Sequence, residues 1–205
     1  GDDARSEIIL DPAGNVFVAS CTQSSNFPVI GSSIQTRFGG GLQDGVILKF
    51  NGSLTSLLFS TLFGGNADDA CFVAGINPVD GNLYVGGATA SSTGLPGDKT
   101  GVLNPTYQGS IADGFVTILR NNGSAVIKTS YFGTGGIDLV YGLKFDRIGF
   151  PYIMGTSTGS WPVINAVYTN AGSKQFISKL RPDLSGFIYS TVFGTASAQP
   201  NISPI

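Results

Sequence analysis

Two pairs of adjacent carboxylates, Asp2-Asp3 and Asp68-Asp69, are the residues whose type and spacing first suggest chemistry. Two carboxyl groups can cleave a glycosidic bond, one as acid and the other as base or nucleophile. Carboxylates also supply the oxygen ligands of calcium. Glycosidase pairs, however, face each other across a cleft, whereas neighbours along a strand point to opposite sides. The pair also recurs at the same place in two repeated segments, although a catalytic pair is needed only once. Aspartate capping a turn accounts for both facts.

The stretches "FGGGLQDG" and "FGTGGIDL" combine glycine and aspartate much as calcium-binding β-helix repeats do. Those repeats are tandem nonapeptides, and these two stand alone, so a glycine-rich strand exit is the preferred reading. No cofactor is expected, with calcium the metal that such oxygen ligands leave open. The chain has no histidine and two cysteines, which rules out a Ser-His pair and leaves no zinc site. A Ser-Lys or carboxylate mechanism has no motif here, and no glycine cluster is followed by the Lys-Ser/Thr of a phosphate loop.

Trp161 and the seven tyrosines could form a sugar-stacking surface. Trp161-Pro162 stands where Phe27-Pro28 stands in its own segment, so a buried anchor is preferred. Asn51-Gly52-Ser53, Asn122-Gly123-Ser124 and Asn201-Ile202-Ser203 fit the glycosylation triplet, but the first two coincide with expected hairpin turns. Partner recognition is expected in the segment Ala90–Ala112, with Ser91, Leu95, Lys99, Tyr107 and Gln108 as candidate contacts, because it departs furthest from its counterparts and loops vary without disturbing strands.

The elements that must carry these residues come from repetition. "FSTLFGG" (Phe59 to Gly65), "KTSYFGT" (Lys128 to Thr134) and "YSTVFGT" (Tyr189 to Thr195) are three versions of one apolar strand ending in Phe-Gly. A turn leading into a strand recurs as "DPAGNVFVAS", "VDGNLYVGG" and "DRIGFPYIMG", and a third strand as "DGVILKF", "DGFVTIL" and "KQFISKL". Between them lie "NFPVI", "TGLPG" and "SWPVI". Four features in one order, three times, define three units.

Each unit reads as four strands, in the first unit Ser6–Leu10, Val16–Ser20, Val46–Phe50 and Leu57–Phe63. Asp11-Pro12-Ala13-Gly14 suits a type I turn. Asn51-Gly52 and Asn122-Gly123 predict tight two-residue hairpins, and "RPDLSG" a longer turn in the third unit. The long segment Thr22–Gln43 carries its own apolar anchors and is expected to pack against its unit. Strands apolar on both sides imply sheets covered on both faces, as in a propeller.

Composition agrees. Charged residues are 12% of the chain and glycines number 30 of 205, against the ~25% and ~7% usual in soluble domains, which favours a turn-rich all-β protein. The net charge of −2 comes with no basic run, which argues against nucleic acid. No apolar stretch reaches the ~18 residues of a membrane helix. Cys21 and Cys71 fall at different places in their units and are not expected to be a required staple, although neighbouring units could bring them together.

On these motifs the chain resembles the bacterial SBBP β-propeller repeat. Asp2-Asp3-Ala4 and Asp68-Asp69-Ala70 match its opening, and the strands quoted above match the rest in order. The third unit departs, with Ile137-Asp138-Leu139 at its opening and Lys174-Gln175 in place of Asp-Gly. The resemblance implies propeller blades in a secreted or surface-attached bacterial protein, in some cases a type IX secretion cargo, and it carries no catalytic residues.

The expected fold class is therefore all-β, with three four-stranded antiparallel propeller blades at 1–66, 67–136 and 137–196, and 197–205 as a connection toward a further blade. Gly1 in place of Met is read as the start of a mature or excerpted segment. The expected function is a non-catalytic extracellular scaffold or adhesion module of a larger surface protein, mediating protein or glycan interaction. Its partners would be other parts of the same polypeptide, neighbouring subunits or glycan. The alternative is a carbohydrate-active protein that binds or degrades sugar on one face of the fold.

Overall fold

The computed structural model describes residues 6–31 and 33–195. It contains twelve strands in three groups, and no helix among the described residues. The first group is β1 (Glu7–Leu10), β2 (Val16–Thr22), β3 (Asp44–Phe50) and β4 (Leu57–Phe63). The second is β5 (Asp69–Ile76), β6 (Leu83–Thr89), β7 (Asp113–Leu119) and β8 (Val126–Phe132). The third is β9 (Asp138–Phe145), β10 (Pro151–Ser157), β11 (Gln175–Leu180) and β12 (Phe187–Phe193). Each group is one antiparallel sheet with its strands in sequence order. All twelve strands fall where the repeats place them.

The sheets pack face to face in series. β5 lies across β2 and β3, and β9 lies across β6 and β7, with β1, β5 and β9 successive neighbours. Phe17, Ala19, Ile47 and Phe63 of the first sheet share one core with Cys71, Ala74, Leu83, Val85 and Phe115 of the second. Tyr84, Val116, Ile118 and Phe132 share another with Val140, Leu143, Ile153 and Phe176 of the third. Aromatic contacts cross both junctions: Phe63 stacks on Phe115 (centroids 5.2 Å apart), and Tyr84 meets Phe145 edge-on (4.9 Å). The middle sheet is covered on both sides, and β7 is buried along its whole length. That is why its strand is apolar without alternation.

The turns between the first two strands of units one and three are as expected. Gly14 N–H donates to Asp11 O (2.9 Å) and Gly149 N–H to Asp146 O (3.1 Å), with both glycines at positive φ. The third hairpin of each unit is not as expected. All three are loops of the same length, closed by Leu54→Asn51, Gly123→Arg120 and Leu184→Arg181 backbone bonds, with the donor residue at positive φ each time. They are type I turns followed by a left-handed residue, not two-residue hairpins, and the third is no longer than the others. Asn51 contributes through its side chain instead: Oδ1 accepts from Thr55 and Ser56 N–H.

The long segments between the second and third strands of each unit are ordered along the outer strand. Ile30 bridges to Ser60, Asp98 to Lys128 and Ile164 to Ser190. This covers the backbone of β4, β8 and β12, which a sheet edge would otherwise leave unpaired. The middle Ser/Thr of the repeated strand serves the same contact. Ser60, Thr129 and Ser190 donate their hydroxyls to the carbonyls of Pro28, Pro96 and Pro162. So the repeated Ser/Thr and the repeated proline are two ends of one hydrogen bond.

Cys21 and Cys71 are both free thiols. Cys71 Sγ lies 2.5 Å from where a Gly45 Cβ would stand, so that glycine makes room for it. Burial pushes the Cys71 thiol up, which leaves it unreactive.

Candidate functional site

Four aspartates begin strands that meet at the junctions between sheets: Asp44 on β3, Asp69 on β5, Asp113 on β7 and Asp138 on β9. All four are buried, and in each the Oδ1 atom is buried without a hydrogen-bond partner. Every Oδ2, in contrast, closes a backbone turn. Gly39 N–H donates to Asp44 Oδ2 (2.9 Å), and Gln108 N–H to Asp113 Oδ2. Gly65 N–H donates to Asp69 Oδ2 (2.7 Å), and Thr134 N–H to Asp138 Oδ2 (2.6 Å). The third-strand aspartates thus end the long segments, and the first-strand aspartates clamp the connection from one unit to the next.

Asp44 and Asp69 also meet across the first junction. Asp44 Oδ1 and Asp69 Oδ2 lie 2.2 and 2.9 Å from the point where a Gly64 Cβ would stand. Gly133 holds the same place beside Asp113, whose Oδ1 lies 2.3 Å from its Cβ direction. This is the reason for the repeated Phe-Gly: the phenylalanine enters the core and the glycine leaves space for a carboxyl group. Where Lys174 replaces the aspartate, the glycine of that unit, Gly194, has no atom nearer than 3.7 Å. Lys174 Nζ instead donates to Thr158 O (2.8 Å).

Burial raises all four carboxyls. Asp44 is pushed up to about 6, chiefly by burial and further by the Asp69 charge, against the pull of the Gly39 N–H. Asp113 is pushed up to about 7 by burial and the Asp138 charge, against the Gln108 N–H. Burial likewise raises Asp69 against hydrogen bonds from Thr89, Gly65 and Ser91, and Asp138 against those from Ser157 and Thr134. Burial favours the neutral acid, and at Asp44 and Asp113 the neighbouring carboxylate charge adds to it, so these groups hold their protons further up the pH scale. A protonated acid also gives its oxygen a hydrogen to donate. The chemistry these pairs can do is therefore proton retention and turn closure. Hard cations take six or more oxygens, and among the described residues no three His, Cys, Asp or Glu side chains are grouped to hold one.

The sequence-level candidates distribute differently. Asp68 is exposed and accepts from Leu42 N–H (2.6 Å), while Asp69 points inward, so the adjacent acids diverge and each closes a turn. Asp2 and Asp3, the triplet at Asn201 and the tail from 197 onward lie outside the described residues. Trp161 is buried and stacked on Phe176, with ring centroids 3.5 Å apart. In the segment 90–112, Ser91 is buried and donates to Asp69 Oδ2 (2.8 Å), and Leu95 is buried in the core between the first two sheets. Lys99 Nζ donates to Leu95 O and Gly97 O, and burial lowers its ammonium. Tyr107 donates to Ser110 O (3.0 Å) and sets its ring edge-on to Tyr131, and Gln108 is exposed. Of the five, Lys99 meets the Leu95 carbonyl, and Tyr131 joins the Tyr107 ring to the Ser91 carbonyl. Asp113 was not singled out from sequence, and Asp44 and Asp138 entered only as the aspartates of the glycine-rich stretches 38–45 and 132–139; what they share is a place at the start of a strand.

Replacing Gly133 with alanine drives a methyl group into the Asp113 carboxyl, which its turn holds in place. The expected cost is about 1–3 kcal/mol, read by urea denaturation. Gly135→Ala, with no atom within 4 Å of the new methyl, is expected to leave the midpoint unchanged.

No helix among the described residues is long and apolar enough to cross a membrane. Compared with models of known protein families and with curated proteins, the chain matches none.

Proposed function

We propose that the chain is a non-catalytic β-propeller-type scaffold, an adhesion or interaction module of a larger extracellular surface protein of the SBBP-repeat kind. The observation that supports this most is the serial stack itself. The first and second of three sheets of one design each present the same face to the first strand of the next, and the three first strands are successive neighbours. Propeller blades are four-stranded sheets arranged in that way around a central axis. The buried carboxyls and hydroxyls are committed to closing turns and fixing the long segments, and they support a rigid frame that displays its loops. The exposed positions of 90–112 are the recognition surface in this reading, toward protein or glycan.

The test is turnover against retention. The chain is presented with arrayed glycans and with soluble polysaccharides, with and without calcium, while reducing ends are followed. The scaffold reading predicts retention at most, with no product. Product release that Asp113→Asn abolishes would instead establish the carbohydrate-active alternative.

A further inference from the structure

The two internal junctions are built alike, but the second lacks a hydrogen-bonding group that the first supplies. Gln35 and Asn104 hold the same place in their units. Leu62 N–H donates to Gln35 O (3.1 Å) and Tyr131 N–H to Asn104 O (3.0 Å). The hydroxyl oxygens of Thr61 and Ser130 accept from the N–H of Gln35 and of Asn104. At the first junction the Gln35 carboxamide then closes the strand exit. Its Oε1 accepts from Gly64 N–H (3.0 Å), and its Nε2 donates to Asp44 Oδ2 (3.0 Å) and Arg37 O (2.8 Å). Asn104 is one methylene shorter. Thr129 and Tyr131 N–H both face the long segment, and Gly133, two residues on, turns its N–H to the same edge. Among the described residues nothing takes the place of Gln35 at that N–H.

A depression of about 280 Å³ opens there, between the second and third sheets. Asn104 and Gly133 line it, with Leu103, Phe132, Trp161 and Phe187 as apolar walls. Phe187 is half-buried and meets Phe132 (6.3 Å) and Trp161 (6.2 Å) edge-on. No charged residue lines the depression. Its volume falls just below the ~300–1,000 Å³ of sites for drug-sized molecules, which suits a single ring. Leu103 and Asn104 belong to the segment 90–112, so the depression joins that segment to Trp161 of the next unit.

Resting on the scaffold reading and its glycan partner, we infer that this depression binds the acetamido group of a neutral N-acetylated sugar. The amide of the sugar does at Gly133 what the Gln35 carboxamide does at Gly64. Its oxygen accepts from Gly133 N–H, and its N–H donates to the side-chain oxygen of Asn104. The acetyl methyl and the C–H face of the ring pack against Phe132 and Phe187. A uronic acid, a phosphate or a charged peptide would give up hydration with no ion to replace it. A glutamine side chain from a protein would reach Gly133 but bring no ring to fill the apolar walls.

The test is an NMR titration of the full chain with N-acetylglucosamine, and with glucose as the ring that lacks the amide. The Gly133 amide and the Trp161 indole N–H are expected to shift with N-acetylglucosamine, with a dissociation constant on the order of 1 mM for one sugar ring. Glucose at the same concentrations should leave both in place. Asn104→Gln restores the missing methylene, so the protein's own carboxamide reaches Gly133 as Gln35 reaches Gly64. That variant is expected to bind the sugar about tenfold more weakly or worse. Unchanged affinity in Asn104→Gln overturns the inference, as do equal shifts with glucose or no shift at Gly133. A glutamine-bearing peptide that moves Gly133 where the sugar does not overturns the choice of a glycan. Should Asn104→Gln fail to fold, saturation transfer from the unaltered chain decides: the acetyl methyl must receive the most, and a maximum on the ring protons overturns the pose. Loss of this binding would leave the scaffold reading to its own turnover test, and product release in that test would leave this titration to stand or fall alone.

Discussion

Truncating Trp161 to alanine is expected to be the most damaging single change in the third unit. The indole stacks on Phe176 at 3.5 Å and 5° and meets Phe187 edge-on. Its Nε1–H donates to both Ser190 Oγ (3.0 Å) and Ser178 Oγ (3.2 Å). Ser190 in turn holds the Pro162 carbonyl (2.7 Å). One side chain thus fills the core and fixes the long segment to β12. Its removal is expected to cost about 3–5 kcal/mol, or roughly 10 °C in melting temperature for a chain of this size. The Phe27→Ala change at the equivalent place is expected to cost much less, on the order of 1 kcal/mol, because Phe27 is only half-buried. Paired denaturation curves of the two variants check this, and equal losses would contradict it.

The second large effect concerns pH. Folded Asp44 and Asp113 keep their protons up to about 6 and 7, while an unfolded chain releases them near ~3.9. Asp69 and Asp138 are raised as well. Between about pH 4 and pH 7 the folded state therefore binds more protons than the unfolded one, and stability falls as pH rises through that window. Asp11, Asp98, Asp146 and Asp183 are held below their ordinary value and pull the other way, but only below about pH 4. The melting temperature is thus expected to be highest near the acid edge and lower at pH 8 by on the order of 5 °C. Asp113→Asn keeps the shape and abolishes one of these ionisations. It should flatten the profile and raise stability at pH 8. A profile that rises from pH 4 to pH 8 would show that the pairs are ionised in the folded protein.

Much of the fold was legible because each unit repeats turn, strand and Phe-Gly exit in a fixed order. Glycine and proline at set offsets bound the strands, and three copies average out local ambiguity. The third hairpin was misread because Asn-Gly is a two-residue turn signal only when it occupies the two central positions. Here the left-handed position falls on Leu54 and Leu184 in two units, residues whose local preference gives no hint of it. The aspartate pairs were hidden for a different reason. Asp44 comes beside Asp69, and Asp138 adds its charge to Asp113, only after separate sheets pack, so sequence neighbours such as Asp68-Asp69 drew attention while the acids that act on each other lay 25 residues apart. Glycine, not acid, carried their signal: Asp44 and Asp69 crowd the strand exit at Gly64, and Asp113 crowds it at Gly133.

The first two Phe-Gly strands end beside buried carboxyls at the junctions between sheets, and these carboxyls hold their protons above the usual range. Titration of the aspartate side-chain carbons by NMR tests it most directly, residue by residue. Midpoints of about 6 for Asp44 and about 7 for Asp113 are expected, with Asp69 and Asp138 also above the usual range and Asp11 and Asp146 below it. Midpoints near ~3.9 for all four junction aspartates, the value of a solvated side chain, would contradict it.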